Sequence, residues 1–233
     1  MKVAWFSTGL SSFLACYYSY DVDEIIYTHV SNQHPDSLRF LHDCEKILER
    51  NITILHSNYF HSVDDVINTF HTVAVAYGAP CTTKLKRDVR KDWELSHPGE
   101  HTYIWGFDVN EKNRAEKLVK SMPHYKHEFP LIDRGLTKEN VHAICQNMGL
   151  KRPIMYDMGY PNNNCIGCVR GGKGYWNKIR RDFPEVFERR AKQERLYKST
   201  CIKGVYLDEL PSDAGRCDEI FPSCDIFCQM YLD

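Results

Sequence analysis

Apolar residues along roughly the first 150 positions recur in two rhythms. Short β-branched or aromatic runs at 2–7, 24–30, 52–56 and 102–106 are bounded by polar residues or glycine, as strands are. Between them the apolar spacing switches to three and four. Over 36–48, Leu38, Leu41, Cys44 and Leu48 share one helical face, with Asp36 placed to cap the first turn after Pro35. The same spacing predicts helices over 63–77, 82–95, 111–121 and 137–147. Strand alternating with helix predicts an α/β fold: a Rossmann-like parallel sheet with helices on both faces, which binds ligands at the carboxyl ends of its strands.

Beyond residue 150 the strand rhythm stops. Two helices are predicted, 175–181 and 184–197, with Asp182 and Glu185 as a capping-box pair around Pro184. Trp176, Ile179, Phe183 and Phe187 form a stripe that reads as buried. After Gly204 come turn residues, an acidic bias and three cysteines, which predict an irregular extension. The expected organisation is one domain over 1–200 and a cysteine-rich C-terminal extension over 201–233. With 233 residues and 42% hydrophobic content the chain supports one substantial core. No stretch approaches the roughly 18 apolar residues of a membrane span, and no export signal is read at the start, so a cytoplasmic location is expected.

Charge adds one local feature. Thirty basic against thirty-one acidic residues leave a net charge of -1, so the whole chain is not an electrostatic nucleic-acid binder. Between Cys165 and Lys198, however, ten Lys or Arg stand against four acids. That segment suits either a polyanion or a solvated helical face.

The first strand runs directly into Ser7, Thr8, Gly9, Leu10, Ser11 and Ser12, after which a helix begins. A turn of small residues at a helix start offers unpaired N–H groups and the positive end of the helix dipole, a setting for phosphate. Such turns also serve as ordinary caps. Arg114, just past the fourth strand, carries a guanidinium fork that grips phosphate or sulfate, or else pairs with Glu111.

The loop 7–12 resembles the SGGxxS phosphate loop of the PP-loop adenine-nucleotide alpha-hydrolases, and in particular the phosphoadenylyl sulfate (PAPS) reductase-like branch, with phage- and prophage-type members nearest. Thr8 stands at the usual second glycine. Residues 32–37 (Asn-Gln-His-Pro-Asp-Ser) are similar to the family's substrate-shaping loop after the second strand. Gly106, Glu111 and Arg114 are similar to its G-x-x-x-x-E-x-x-R region near the nucleotide phosphates. The resemblance implies that residues 7–12 and Gly106 hold ATP or phosphoadenylyl sulfate.

Cys165-Ile166-Gly167-Cys168 is the most specific chemical feature, two thiols in a glycine-tightened turn. Alone it admits zinc, a redox dithiol, or half of an iron–sulfur site. Ten cysteines in a chain of this length and class read as reduced thiols, some of them metal ligands. Cys16, Cys44 and Cys145 occupy apolar helical positions and belong to the core. His124 and His127 read as surface residues, and Cys201 and Cys217 receive no role.

Adenylyl-sulfate reductases of this superfamily bind a [4Fe–4S] cluster through a Cys-Cys pair, a lysine after it, and a distant CxxC. Cys81, Lys86, Cys165 and Cys168 are similar to that set, with Thr82 where the second cysteine of the pair would stand. Three ligands leave one iron open, as in ATP-dependent tRNA-thiolating relatives, unless the tail supplies a fourth. Residues 223–228 resemble the Cys-Gly-Ile-His tail of the reductases, with Cys224 at the position of the attacking cysteine.

The expected function is therefore reduction of an adenylyl-sulfate type substrate to sulfite, with Cys224, Arg114 and Lys86 as catalytic residues and a thioredoxin-like reductant as partner. One alternative is an ATP-dependent [4Fe–4S] sulfurtransferase that thiolates a tRNA or nucleobase. Another is a non-catalytic, zinc-stabilised nucleotide- or nucleic-acid-binding protein. A homo-oligomer is allowed.

Overall fold

Five strands, β1 (Lys2–Phe6), β2 (Glu24–Thr28), β3 (Thr53–Leu55), β4 (Thr102–Ile104) and β5 (Lys126–Glu128), pair in the order β3-β2-β1-β4-β5 in the computed structural model of the chain. Every pairing is parallel. The model describes residues 1–74 and 78–216. The helices are α1 (Leu10–Tyr17), α2 (Asp36–Leu48), α3 (Val63–Phe70), α4 (Pro80–Thr82), α5 (Asp88–Ser96), α6 (Lys112–Ser121), α7 (Pro130–Asp133), α8 (Lys138–Asn147), α9 (Ile154–Asp157), α10 (Lys173–Asp182) and α11 (Pro184–Tyr197). Among the described residues no helix is long and apolar enough to cross a membrane.

Two compact units divide the chain. The first takes Met1–His29, Pro35–Leu55 and Lys91–Asn163, and contains the sheet. Side chains alternate between the faces of a strand. Ala4, Phe6, Ile25, Tyr27 and Ile104 therefore point into one core with Leu10, Phe13 and Leu14 of α1, Phe40 and Leu41 of α2, and Val141 of α8. Cys16, Cys44 and Cys145 lie in that same core, as expected. Trp5 and Tyr103 face the other way. Trp5 meets Trp93 of α5 edge-on at 5.9 Å, and Tyr103 stacks on Tyr125 at 4.8 Å. Helices thus cover both faces of the sheet.

The second unit takes Val30–His34, His56–Arg90 and the described residues from Asn164 onward. Its apolar cluster gathers Val63, Val66 and Ile67 of α3 with Val30, Val73, Leu85, Cys165 and Val169. The stripe on α10 and α11 is largely buried, with Trp176 and Ile179 inaccessible and Phe183 half-exposed.

Some expectations are corrected. The helix predicted over 63–77 stops at Phe70, where His71 turns left-handed at φ 53°. No capping box forms at Pro184, because Asp182 is spent on Lys178 at 2.8 Å and Arg181 at 3.0 Å. His127 is not a surface residue, since it is half-buried and its Nδ1 accepts the Trp105 indole N–H at 3.0 Å.

Candidate functional site

In the first unit, β1 ends at Phe6 and α1 starts at Leu10, leaving three residues to make the turn. Gly9 occupies the N-cap, no side chain caps the helix, and its first turn carries no acid. A buckle of hydroxyls holds the turn. The Ser7 N–H and Ser7 hydroxyl both donate to Ser12 Oγ at 3.0 Å, and Ser12 Oγ donates to the Gly9 carbonyl at 2.9 Å. Ser12 is buried and spent inside the loop, whereas Ser7 is exposed and Ser11 half-exposed. Ser7 and Ser11 are therefore the serines of the turn that reach solvent, with the Ser7 hydroxyl turned inward to Ser12.

Thr8 has φ 57°, a left-handed conformation that glycine adopts without cost and a β-branched residue does not. This explains why glycine suits the position. Thr8 is fully buried, its hydroxyl donates to the Ser7 carbonyl at 2.6 Å, and Asn163 clamps it from the end of the unit. The Asn163 amide donates to the Thr8 carbonyl at 2.9 Å, to Thr8 Oγ1 at 3.2 Å and to Ser37 Oγ at 3.0 Å. Tyr156 adds a second support. A Cβ on Gly9 would stand 3.3 Å from its hydroxyl, and burial pushes the phenol up to about 12, partly offset by the Leu10 backbone N–H. Neither Asn163 nor Tyr156 carried a signal in the sequence.

Gly106, two residues past the end of β4, lies against this loop. A Cβ there would lie 2.6 Å from both Ser12 Cα and Ser12 N, so only glycine lets the two backbones approach. Beyond it, Arg114 stacks on Phe107 at 4.7 Å and donates to Glu111 at 2.6 Å, the pairing named as the alternative to phosphate. Glu111 also accepts the Asp108 N–H at 3.3 Å, and burial raises its carboxyl above the usual range, with Arg114 opposing. Lys138, unmarked in the sequence, donates to Asn162 Oδ1 at 2.7 Å, and burial lowers its ammonium beside Glu111 and Asp108.

In the second unit, Cys165 and Cys168 are buried thiols on a turn closed by Gly167 at φ 72°. The Tyr175 hydroxyl straddles them, accepting the Cys168 N–H at 2.8 Å and donating to the Cys165 carbonyl at 3.2 Å. Gly171 makes room for that ring, since a Cβ there would fall 1.9 Å from it. From the other side Asn32 accepts the Ile166 N–H at 2.8 Å on its carbonyl and the Val63 N–H at 2.6 Å on its side chain. Asn32 thus braces the thiol turn.

Cys81 lies on α4, half-buried against the cluster that contains Cys165, and Lys86 lies on the π-helical turn Thr83–Arg87 that follows. Such turns are rare and recur at functional sites. Among the described residues no three His, Cys, Asp or Glu side chains are grouped as a metal ion would hold them. The donors fit an iron–sulfur cluster in kind, as thiols in an apolar setting. Cys217, Cys224 and Cys228 lie outside the described residues.

Much of the basic segment is paired internally. Arg195 binds Asp208 and Glu209, Arg189 and Arg190 meet Asp64, and Arg180 donates to the Leu207 and Leu210 carbonyls. The charge excess there is consumed largely by the unit's own acids and carbonyls.

No family model and no curated protein matches the chain. Among solved structures it is similar to phosphoadenylyl-sulfate (PAPS) reductase from Candida auris in a phosphate complex, at 10% identity over 67% of this chain and 78% of that one, TM-score 0.47. It is also similar to the U34-tRNA thiolase NcsA from Methanococcus maripaludis with its [4Fe-4S] cluster, at 14% identity over 85% of this chain and 72% of that one, TM-score 0.46.

Proposed function

We propose that the chain is a PAPS reductase-like, adenine-nucleotide-dependent enzyme of sulfur chemistry that reduces an adenylyl-sulfate type substrate to sulfite. The observation that carries the reading is the turn from β1 into α1: a buckled backbone, strained at Thr8, that opens an uncapped helix start. Half-exposed Ser11 and Gly9 offer donors to nucleotide phosphates, exposed Ser7 would join them by turning its hydroxyl away from Ser12, and Gly106 keeps the second backbone close. Release of Arg114 from Glu111 would free its fork for a phosphate or sulfate oxygen. Cys81, Cys165 and Cys168 would hold a [4Fe–4S] cluster, which would supply a redox-active, polarisable centre when bound.

In this reading the Cys224 thiolate attacks the sulfonyl sulfur of the substrate. The sulfur–oxygen bond to the nucleotide phosphate breaks, the nucleotide leaves with that electron pair, and an enzyme thiosulfonate remains. A thioredoxin-like dithiol then attacks the Cys224 sulfur, releases sulfite and is left as a disulfide.

Thr82, standing where a second adjacent cysteine would complete the ligand set, favours a second reading. There Cys81, Cys165 and Cys168 would hold a cluster that could supply sulfur, while ATP adenylates a tRNA or nucleobase oxygen with release of pyrophosphate and the incoming sulfur then displaces AMP.

Anaerobic incubation of the full chain with adenylyl sulfate or phosphoadenylyl sulfate and a dithiol tests the choice. Sulfite is the expected product. AMP and pyrophosphate from ATP with a thiolated nucleoside, and no sulfite, would transfer the assignment to the sulfurtransferase. Stoichiometric zinc without iron or turnover would leave a zinc-stabilised binding protein.

A further inference from the structure

Cys201 had no role in the sequence, yet it packs, half-buried, against the apolar cluster that contains Cys165 and receives Cys81. Four hydrogen bonds, one of them its own, hold the backbone around it. Its backbone N–H donates to Glu194 Oε1 at 2.6 Å, and the other oxygen of this fully buried carboxylate takes the Leu207 N–H at 2.6 Å. Two residues earlier, Ser199 Oγ meets Thr72 Oγ1 at 2.9 Å and accepts the Val73 N–H at 3.2 Å, joining the end of α11 to the segment that leads toward Cys81. Cys81 and Cys201 thus pack against the same apolar cluster as Cys165.

We propose that Cys201 is the fourth thiolate of the metal centre, which Cys81, Cys165, Cys168 and Cys201 close from four points of the second unit. This rests on the reading of those first three cysteines as ligands. It also deepens that reading. A cluster closed by four thiolates has no open iron on which to carry sulfur, so Thr82 costs the site no ligand and the reductase form is the one the thiols suit. Among the described residues these thiols are not yet grouped as a metal would hold them, so binding would have to draw their side chains together, as metal binding does where it completes a fold.

Two measurements on the full chain, loaded anaerobically with iron and sulfide, test this. In the first, iodoacetamide labelling is mapped by mass spectrometry: all four thiols should be protected in loaded protein, and Cys201 should react once the metal is removed. In the second, mild oxidation is followed by electron paramagnetic resonance. The parent should keep its fourth iron, whereas Cys201→Ser should lose it and give a three-iron signal. A loaded parent that labels at Cys201, or that itself yields the three-iron signal, overturns the proposal while leaving the cluster intact. So does a Cys224→Ser or Cys228→Ser variant that loses the fourth iron while Cys201→Ser keeps it. A chain that takes up neither iron nor zinc sinks the ligand reading as a whole. If it takes zinc alone the iron reading falls, and labelling of Cys201 with and without zinc decides the fourth ligand.

Discussion

Replacing Asn163 by alanine tests how the turn from β1 into α1 holds a residue in a conformation it disfavours. Thr8 sits at φ 57°, which costs an L-residue about 1 to 2 kcal/mol. The Asn163 amide opposes that cost with contacts to Thr8 O, Thr8 Oγ1 and Ser37 Oγ at 2.9, 3.2 and 3.0 Å. An amide has two N–H groups, so two of these act at full strength, each worth about 1 kcal/mol net. Asn163→Ala should therefore destabilise the protein by about 2 kcal/mol. Thr8→Gly relieves the strain but restores about 0.4 to 1 kcal/mol of chain entropy to the unfolded state and forfeits hydroxyl bonds. Its net effect should lie within about 1 kcal/mol of zero. The two changes should couple. With Asn163 already removed there is no amide bond to Oγ1 left to lose, so Thr8→Gly should be more favourable by about 1 kcal/mol in that background. Urea unfolding of the parent, both single variants and the double variant gives all four values. An Asn163→Ala variant as stable as the parent, or strict additivity, would refute the clamp.

Three further outcomes follow from neighbouring contacts. Gly106→Ala places a Cβ 2.6 Å from the Ser12 backbone and should cost about 1 to 3 kcal/mol by overpacking and weaken ATP binding at least about tenfold, read by urea midpoint and fluorescent-nucleotide titration. Unchanged binding would detach the loop from the nucleotide. Tyr175→Phe removes the hydroxyl that spans the thiol turn and should cost about 1 kcal/mol and loosen metal retention against a chelator, whereas equal retention would make Tyr175 mere packing. Burial raises the Glu111 carboxyl above 4.5, so its contribution to stability is full below 4.5 and is lost as pH rises through the raised value. The stability of parent relative to Glu111→Gln should therefore decline with rising pH across that window, and a flat difference from pH 4 to 8, to the nearest unit, would contradict it.

Four of the five strands were legible because β1 to β4 carry β-branched or aromatic runs. Strand β5 (Lys-His-Glu) carries none, since it is an edge of three residues paired only to β4 and owes its form to that neighbour. The turn from β1 into α1 could be read from its small residues and its place after the first strand. Its supports could not: Asn163 and Tyr156 lie about 150 residues away in sequence and act through side-chain polar contacts, which leave no periodic trace. Cys201 stayed silent for the same reason, because its place beside Cys81 depends on Glu194 and Ser199 holding the end of α11. The capping box at Pro184 failed since Lys178 and Arg181 compete for the same Asp182 carboxylate.

The strand order also has a geometric outcome. From β1 the chain steps outward to β2 and β3, and from β4 it steps the opposite way to β5. Right-handed crossovers then send the segments after β1 and β4 to opposite sides, so between these two adjacent strands the connecting peptides part and leave a crevice. Ser7 stands on one lip and Gly106 on the other. The parting is set by topology, and the missing side chain at Gly106 lets the start of α1 lie against it, so a bulkier residue there would push that turn aside without disturbing a single strand pairing.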